Sequence, residues 1–282
     1  MEHKNQFKIV VIGLAAGLVS LLANNASAQT PVTGWGSESA AAGATITDTG
    51  NGNFTWAYSS GNSTARAALA TPADFSQVGE VVELTGSVTI TPQTFGNEQL
   101  RFGIFNNNGY GLGTLSGGAW SGATTAGWQG YLIEVGNPDG SGASTLQPRN
   151  SYISGDNWFN NGGSSTLTQS PYSFGGTSVA NGTYAFTLTL DRLSATSVAV
   201  SYSFTETDGT GTFATSGSAT DTGSENSDYS ASATQIDAVG FFGNGNTGNM
   251  SFSNVEITQV PEPGTIALGV MGASALLFRR RK

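Results

Sequence analysis

The chain is 282 residues long, with a formal net charge of −9, no cysteine and a single histidine. It therefore forms no disulfide and offers no thiol nucleophile and no cysteine metal site. Its acidity repels nucleic acid and anionic lipid, which excludes a nucleic-acid role.

The first 28 residues predict a secretory signal. Lys4 and Lys8 make a basic n-region, 9–23 (IVVIGLAAGLVSLLA) is an apolar run of signal-peptide length, and Ala26-Ser27-Ala28 gives a small-x-small cleavage site for signal peptidase. The mature chain then starts near Gln29; a retained N-terminal anchor is the alternative. The one histidine, His3, leaves with the signal. Without imidazole the mature chain lacks Ser-His-Asp chemistry, the usual zinc ligands and the commonest general base. The body, 29–259, keeps Arg66, Arg101, Arg149 and Arg192 against seventeen acids, a formal charge of −13.

Within the body, period-2 alternation of aromatic and β-branched residues predicts strands with one buried face. In chain order these are 53–59 (NFTWAYS), 81–91 (VVELTGSVTIT), 99–105 (QLRFGIF), 128–135 (WQGYLIEV), 183–190 (TYAFTLTL), 197–205 (SVAVSYSFT), 238–242 (AVGFF) and 250–258 (MSFSNVEIT). The link 191–196 (DRLSAT) makes the fifth and sixth an antiparallel hairpin. Clusters such as GNGN, NNNG, NPDGSG, NNGG and TDGTG supply turns, because Gly, Asn and Asp accept positive φ. GNGN occurs at 50–53 and 243–246, read as turn chemistry beside neighbouring strands or as a duplicated ligand loop. No long window keeps a 3.6-residue period. The expected fold is all-β, a two-sheet antiparallel jelly-roll sandwich over 29–259, preceded by the signal peptide and followed by a short C-terminal hydrophobic helix.

The strand spacing from 53 to 258 and the closing IDAVGFFGNGN…MSFSNVEIT resemble concanavalin A-like or laminin G-like jelly rolls. The resemblance covers most of the body and rests on pattern, with no diagnostic motif. It implies a curved sheet whose concave face, in that superfamily, often binds glycans.

Three constellations carry chemistry that such a body can use. Glycosidases need two carboxylates about 5–5.5 Å apart for retention. Glu80 and Glu83 are oddly spaced and fall on opposite strand faces, while Glu206 and Asp208 run into a turn. No ExDxxE signature occurs, so these acids read as solvated surface groups and the chain as a non-enzyme. Among the tryptophans, Trp56 and Trp128 fall in strands and read as core. Trp120 and Trp158 lie in Gly/Asn-rich sequence and, with Tyr110, Asn157 and Asn160, are candidate glycan contacts or else partly buried packing. Asp48, Asn51 and Asn53, or Asp221, Glu225 and Asp228, are candidate calcium ligands or Asx turns; no other cofactor is expected. N-glycosylation sequons stand at Asn53, Asn62, Asn181 and Asn249.

The tail, 260–282, opens with Val260-Pro261-Glu262-Pro263, continues as fourteen largely apolar residues (265–278) and ends in Arg279, Arg280, Arg281 and Lys282. Fourteen residues make a helix of about 21 Å, short for a hydrocarbon core of about 30 Å. The basic end is expected to stay cytoplasmic and the body outside. Tripeptide, apolar segment and basic end resemble, in order and place, the PEP-CTERM sorting signal. That resemblance implies an exosortase, a membrane cysteine protease cutting near Pro-Glu-Pro, in Gram-negative bacteria that make exopolysaccharide. It implies transient insertion in the inner membrane and delivery to the cell surface or extracellular matrix. A plain short membrane anchor is the alternative. With exopolysaccharide as the nearby ligand, the function expected is glycan binding, against a structural matrix or adhesin role and, third, a glycosidase.

Overall fold

In the computed structural model, the residues described are 28–38, 44–58, 61–91, 100–108, 114–116, 119–121, 128–135, 144–150, 167–169, 172–175, 181–209, 213–223, 230–245 and 248–260. They are almost entirely strand. The first nine strands are β1 (Ala28–Pro31), β2 (Gly36–Glu38), β3 (Thr45–Gly50), β4 (Asn53–Tyr58), β5 (Gly61–Asp74), β6 (Val81–Thr91), β7 (Leu100–Asn106), β8 (Thr114–Ser116) and β9 (Ala119–Ser121). There follow β10 (Gln129–Val135), β11 (Thr145–Asn150), β12 (Tyr172–Gly175), β13 (Gly182–Ser194), β14 (Ser197–Glu206), β15 (Ala214–Asp221), β16 (Gln235–Gly245) and β17 (Gly248–Val260). A 3₁₀ turn at Ser230–Ser232 is the one helical piece among the described residues.

The strands form two sheets, as alternation predicts. One runs β12-β15-β14-β13-β6-β17-β4-β3, with β1 also on β17; the other runs β11-β10-β7-β16-β5-β2-β9-β8. The pairs of known register are antiparallel except β2 with β9. The last two strands do not sit at the edges. β16 lies between β5 and β7, and β17 between β6 and β4, so the C-terminal part of the body completes both sheets. Residues Gln29–Gln259 form one compact unit.

The core between the sheets is aromatic. Trp35 stacks on Phe54 at 4.1 Å, Phe54 on Phe252 at 4.4 Å and Tyr184 on Phe204 at 4.9 Å, all buried. Offset stacks of this kind add to the area buried. Glycine makes room where a ring crosses a strand: a Cβ on Gly86 would stand 2.6 Å from the Phe186 ring. Buried polar tips are satisfied across the core. Tyr131 Oη on β10 donates to Asp221 Oδ2 on β15 at 2.9 Å, and Trp56 Nε1 on β4 donates to Ser63 Oγ on β5 at 3.0 Å. Each bond ties one sheet to the other.

Several expectations are corrected. The DRLSAT link is mostly strand: β13 continues to Ser194, leaving a two-residue turn, with a bulge between Arg192 and Ser194. The cause is Arg192, which is buried. Its guanidinium lies over the Phe75 ring and donates to the carbonyls of Phe75, Ala231 and Ala233, drawing this end of β13 inward. The two GNGN stretches also part company. The first is a turn, with positive φ at Gly50, Asn51 and Gly52, and a Cβ on Gly52 would meet the Val255 carbonyl at 2.5 Å. In the second, 243–245 still belong to β16. Strands without bulky residues escape the alternation rule altogether. β5 faces the core with Ala65 and Ala67, and β15 with Thr215, Gly217 and Ala219.

Candidate functional site

Each sheet has a second face, turned away from the core, and the two are built differently. On the second sheet this outward face is largely buried along β7 and β16. Along β7 every residue is buried: Leu100, Phe102 and Ile104 enter the core, while Arg101, Gly103 and Phe105 take the other side. Phe105, Trp128, Leu132, Ala238 and Phe242 form a separate apolar cluster there. Phe105 folds over Gly103, where a Cβ would be 2.6 Å from the ring, and its centroid is 5.9 Å from that of Trp128.

Beside this cluster runs a polar row. Register aligns Phe242, Arg101, Glu134 and Thr145 on β16, β7, β10 and β11. Arg101 Nη2 meets Glu134 Oε2 at 3.1 Å, and its guanidinium carbon lies 5.2 Å from the Phe242 ring centre. Gln147 Nε2 donates to Thr145 Oγ1 at 3.0 Å and to Glu134 Oε2 at 3.4 Å. Burial lowers the Arg101 pKa from its ordinary value, and the Glu134 charge opposes the shift. The next row sets Arg66 between Gly36 and Gly240. At the end of the face, Asp237 sits in the bulge of β16. It accepts from Asn107 N at 2.7 Å and from Gln235 Nε2 at 3.3 Å, and burial raises its pKa. Glu134 and Asp237 are two strands and several residues apart, well beyond a glycosidase pair by strand spacing.

On the first sheet the outward face is open. β13 and β14 alternate over nearly their whole length, and the outward positions of the sheet are largely Ser and Thr, exposed or half-buried. Hydroxyls pair across strands: Ser87 with Ser253 at 2.8 Å, Thr187 with Ser203 at 2.9 Å and Thr89 with Thr183 at 3.0 Å. Thr189 Oγ1 donates to Glu83 Oε2 at 3.0 Å.

The residues singled out from sequence distribute as follows. Trp56 is core, and Trp128 is buried with Phe105 at the start of β10. Trp120 stands in β9, its backbone paired with Glu38 and Leu115. Trp158, Tyr110, Asn157 and Asn160 lie outside the described residues, as do Ala26, Pro261, Glu262, Pro263, Arg279, Arg280, Arg281 and Lys282. Ala28 begins β1 and Val260 ends β17. Among the described residues no helix is long and apolar enough to cross a membrane, and the helix expected in the tail falls outside them.

Where they are described, the calcium candidates accept or donate hydrogen bonds within the protein. Asp48 Oδ2 accepts from Gly34 N at 2.6 Å and Trp35 N at 3.0 Å, and Oδ1 from Gly50 N at 2.7 Å. Asn53 Nδ2 donates to the Gly50 and Asn51 carbonyls. Asp221 is buried and holds Tyr131 Oη and Gly223 N; Glu225 and Asp228 lie outside the described residues. No group of three ligating side chains occurs among the described residues. Expecting solvated acids was wrong for Glu80, which is buried and accepts from Gln77 N at 2.7 Å, closing the turn before β6. Glu206 and Asp208 likewise hold backbone amides, of Phe213 and Thr183. The Arg101–Glu134–Gln147 row was not anticipated. Its signal was a charge set between apolar residues in LRFGIF and in YLIEV, where one strand face should have been dry.

Residues 259–282 match the family model described as the PEP-CTERM protein-sorting motif. No curated protein matches the chain. Among solved structures it is similar to the basic winged bean lectin with Tn-antigen, at 14% identity and a TM-score of 0.46, covering 85% of this chain and 99% of the lectin. It is similar also to the Emp46p carbohydrate recognition domain (10% identity, TM-score 0.41, 82% of this chain and 88% of that one). A protein of unknown function with a galectin-like fold from Bacillus subtilis stands alike (12% identity, TM-score 0.41, 83% and 96%). At these values the likeness assigns neither ligand nor residue.

Proposed function

We propose that this is an exported protein of a Gram-negative-type envelope, sorted by exosortase, that binds glycan at the cell surface or in the exopolysaccharide matrix without catalysis. The observation that carries the reading is the sorting motif at 259–282, whose first two residues, Gln259 and Val260, end the last strand of the body. In this reading signal peptidase acts near Ala28, the tail inserts transiently in the inner membrane, and cleavage near Pro261-Glu262-Pro263 releases an intact sandwich. The ligand half of the proposal is supported by surface chemistry. Three of the body's four arginines, Arg66, Arg101 and Arg192, are buried, and the first sheet's outward face offers hydroxyls and carboxylates, groups that suit a polyhydroxylated ligand better than an anion.

A structural matrix or adhesin role without a discrete ligand site is the second reading. It is favoured by the burial of Trp35, Trp56 and Trp128, whose indoles pack inside the protein and not on its surface. Mass spectrometry of the mature C-terminus from the host tests the sorting half: a terminus near 260–264 supports it, and an intact Arg279–Lys282 end refutes it. A glycan array probed with the mature protein separates the two readings.

A further inference from the structure

The outward face of the first sheet is explained neither by sorting nor by the core. On β13 its outward positions are Thr183, Ala185, Thr187, Thr189 and Asp191, and on β14 they include Ser201, Ser203 and Thr205. β6 adds Thr85, Ser87 and Thr89, and β17 adds Ser251 and Ser253. None of these is buried. The strand register lays them out as a grid, with Thr187 between Thr85 and Ser203, and Ser203 beside Ser216. Strand geometry spaces such positions about 4.8 Å across and about 6.7 Å along the sheet.

From this grid we infer that the first sheet's outward face is a contact surface for a neutral, extended polysaccharide. The inference rests on the glycan-binding reading above and names the face and the ligand class. Three observations select this occupant. The hydroxyls are ordered before any ligand arrives, because Ser87–Ser253, Thr89–Thr183 and Thr187–Ser203 already bond across strands. Each hydroxyl keeps further donor or acceptor capacity for a sugar hydroxyl, and fixed side chains cost little entropy on binding. The charges on the face are carboxylates, Glu83, Asp191 and Glu256, with no Arg or Lys among its described residues. Together with a body at −13 this repels uronate, sulfate or phosphate polymers. The same carboxylates repel a second copy laid face to face, and they accept hydrogen bonds from neutral sugars. With no aromatic among the outward residues of β4, β6, β13, β14 and β17, each contact is weak. Retention therefore comes from many hydroxyls along one polymer chain.

The test is cosedimentation of the mature protein from its host with insoluble neutral β-glucan. The variant Thr187→Ala/Ser201→Ala/Ser203→Ala strips hydroxyls without touching the core, and circular dichroism confirms its fold. Retention of the wild type that falls about tenfold in the triple variant, and that salt does not weaken, supports the inference. Retention that persists in the triple variant but is lost in Trp120→Ala overturns the inference and leaves glycan binding standing elsewhere on the protein. Preference for an anionic polymer, or an oligomer in solution that the triple variant dissolves, also overturns it. A wild type that neither sediments here nor binds a glycan array brings down the glycan-binding reading itself.

Discussion

Strand β13 alternates buried and half-buried residues over nearly its whole length, whereas β7 is buried at every position. Both belong to the same sandwich and both present one face to the shared core, so the contrast lies in their second faces. A strand with two dry faces must be covered on both sides, and any polar group it carries must find its partners inside the protein. That is why the outward side of the second sheet holds a closed row, Arg101–Glu134–Gln147, while the first sheet bears hydroxyls that solvent can complete. The second sheet's outward face contributes stability and the first sheet's face is free for contact. Substitutions should therefore act on folding in one place and on binding in the other.

The largest expected effect breaks the comparison on the dry side. Arg101→Ala removes the guanidinium from Glu134 and leaves a carboxylate uncompensated among buried groups, a loss of about 3–5 kcal/mol in urea unfolding. Replacing both partners, as Arg101→Met with Glu134→Leu, should recover most of it, because an apolar pair strands no charge. If Arg101→Ala unfolds with the wild-type midpoint, the second face is not dry and the contrast fails. A step below stands Tyr131→Phe. It deletes the buried bond to Asp221 that joins the sheets, and a cost of about 1–3 kcal/mol is expected from the acceptor left behind.

The same contrast explains what the sequence made legible. β13 and β14 were readable because Tyr184, Phe186, Leu188 and Leu190 alternate with Thr and Ala, the signature of a half-solvated strand. β5 was not, since the core there needs small Ala65 and Ala67 against β16, and small residues carry no period. Sequence makes the DRLSAT turn too long because Arg192 reads as a surface residue. Only the carbonyls of Phe75, Ala231 and Ala233 gathered around it show why it is buried. The candidate site shows a similar split. The sorting motif is a local string and could be read directly, whereas the Arg101–Glu134 row joins residues thirty-three apart through register, which no local pattern reveals. The hydroxyl face was visible one strand at a time and became a surface only once five strands were set side by side.

A smaller effect sharpens the boundary of the dry face. Asp237 sits at its end with a pKa raised by burial, opposed by the hydrogen bonds from Asn107 and Gln235. The folded state therefore holds a proton that the unfolded chain has already lost once the pH passes the ordinary carboxylate value of about 3.9. Stability contributed by this group falls as pH rises through that window. Asp237→Asn keeps an oxygen for the Asn107 amide and removes the charge. Relative to wild type it should gain stability as pH rises from about 4 and then level off. Urea midpoints over a pH series measure the difference; a gap that does not change with pH would show that Asp237 is solvated and the dry face stops short of it.

The smallest effect belongs to the open face, and its smallness is the point. Thr187 and Ser203 share a hydrogen bond of 2.9 Å on adjacent strands, half-buried and beside water. Removing either hydroxyl strands nothing, because solvent replaces the lost partner, so Thr187→Ala and Ser203→Ala should each fall within about 0.5 kcal/mol of wild type. A double-mutant cycle isolates the pair, with a coupling of about 0.2–1 kcal/mol expected for a cross-strand hydroxyl pair. A coupling above that range would mean the pair is shielded and the face is not open. Within it, these substitutions change the surface that meets a ligand without changing the fold that carries it. A variant here that loses glucan while keeping its urea midpoint assigns the loss to the face, which no substitution on the second sheet can do.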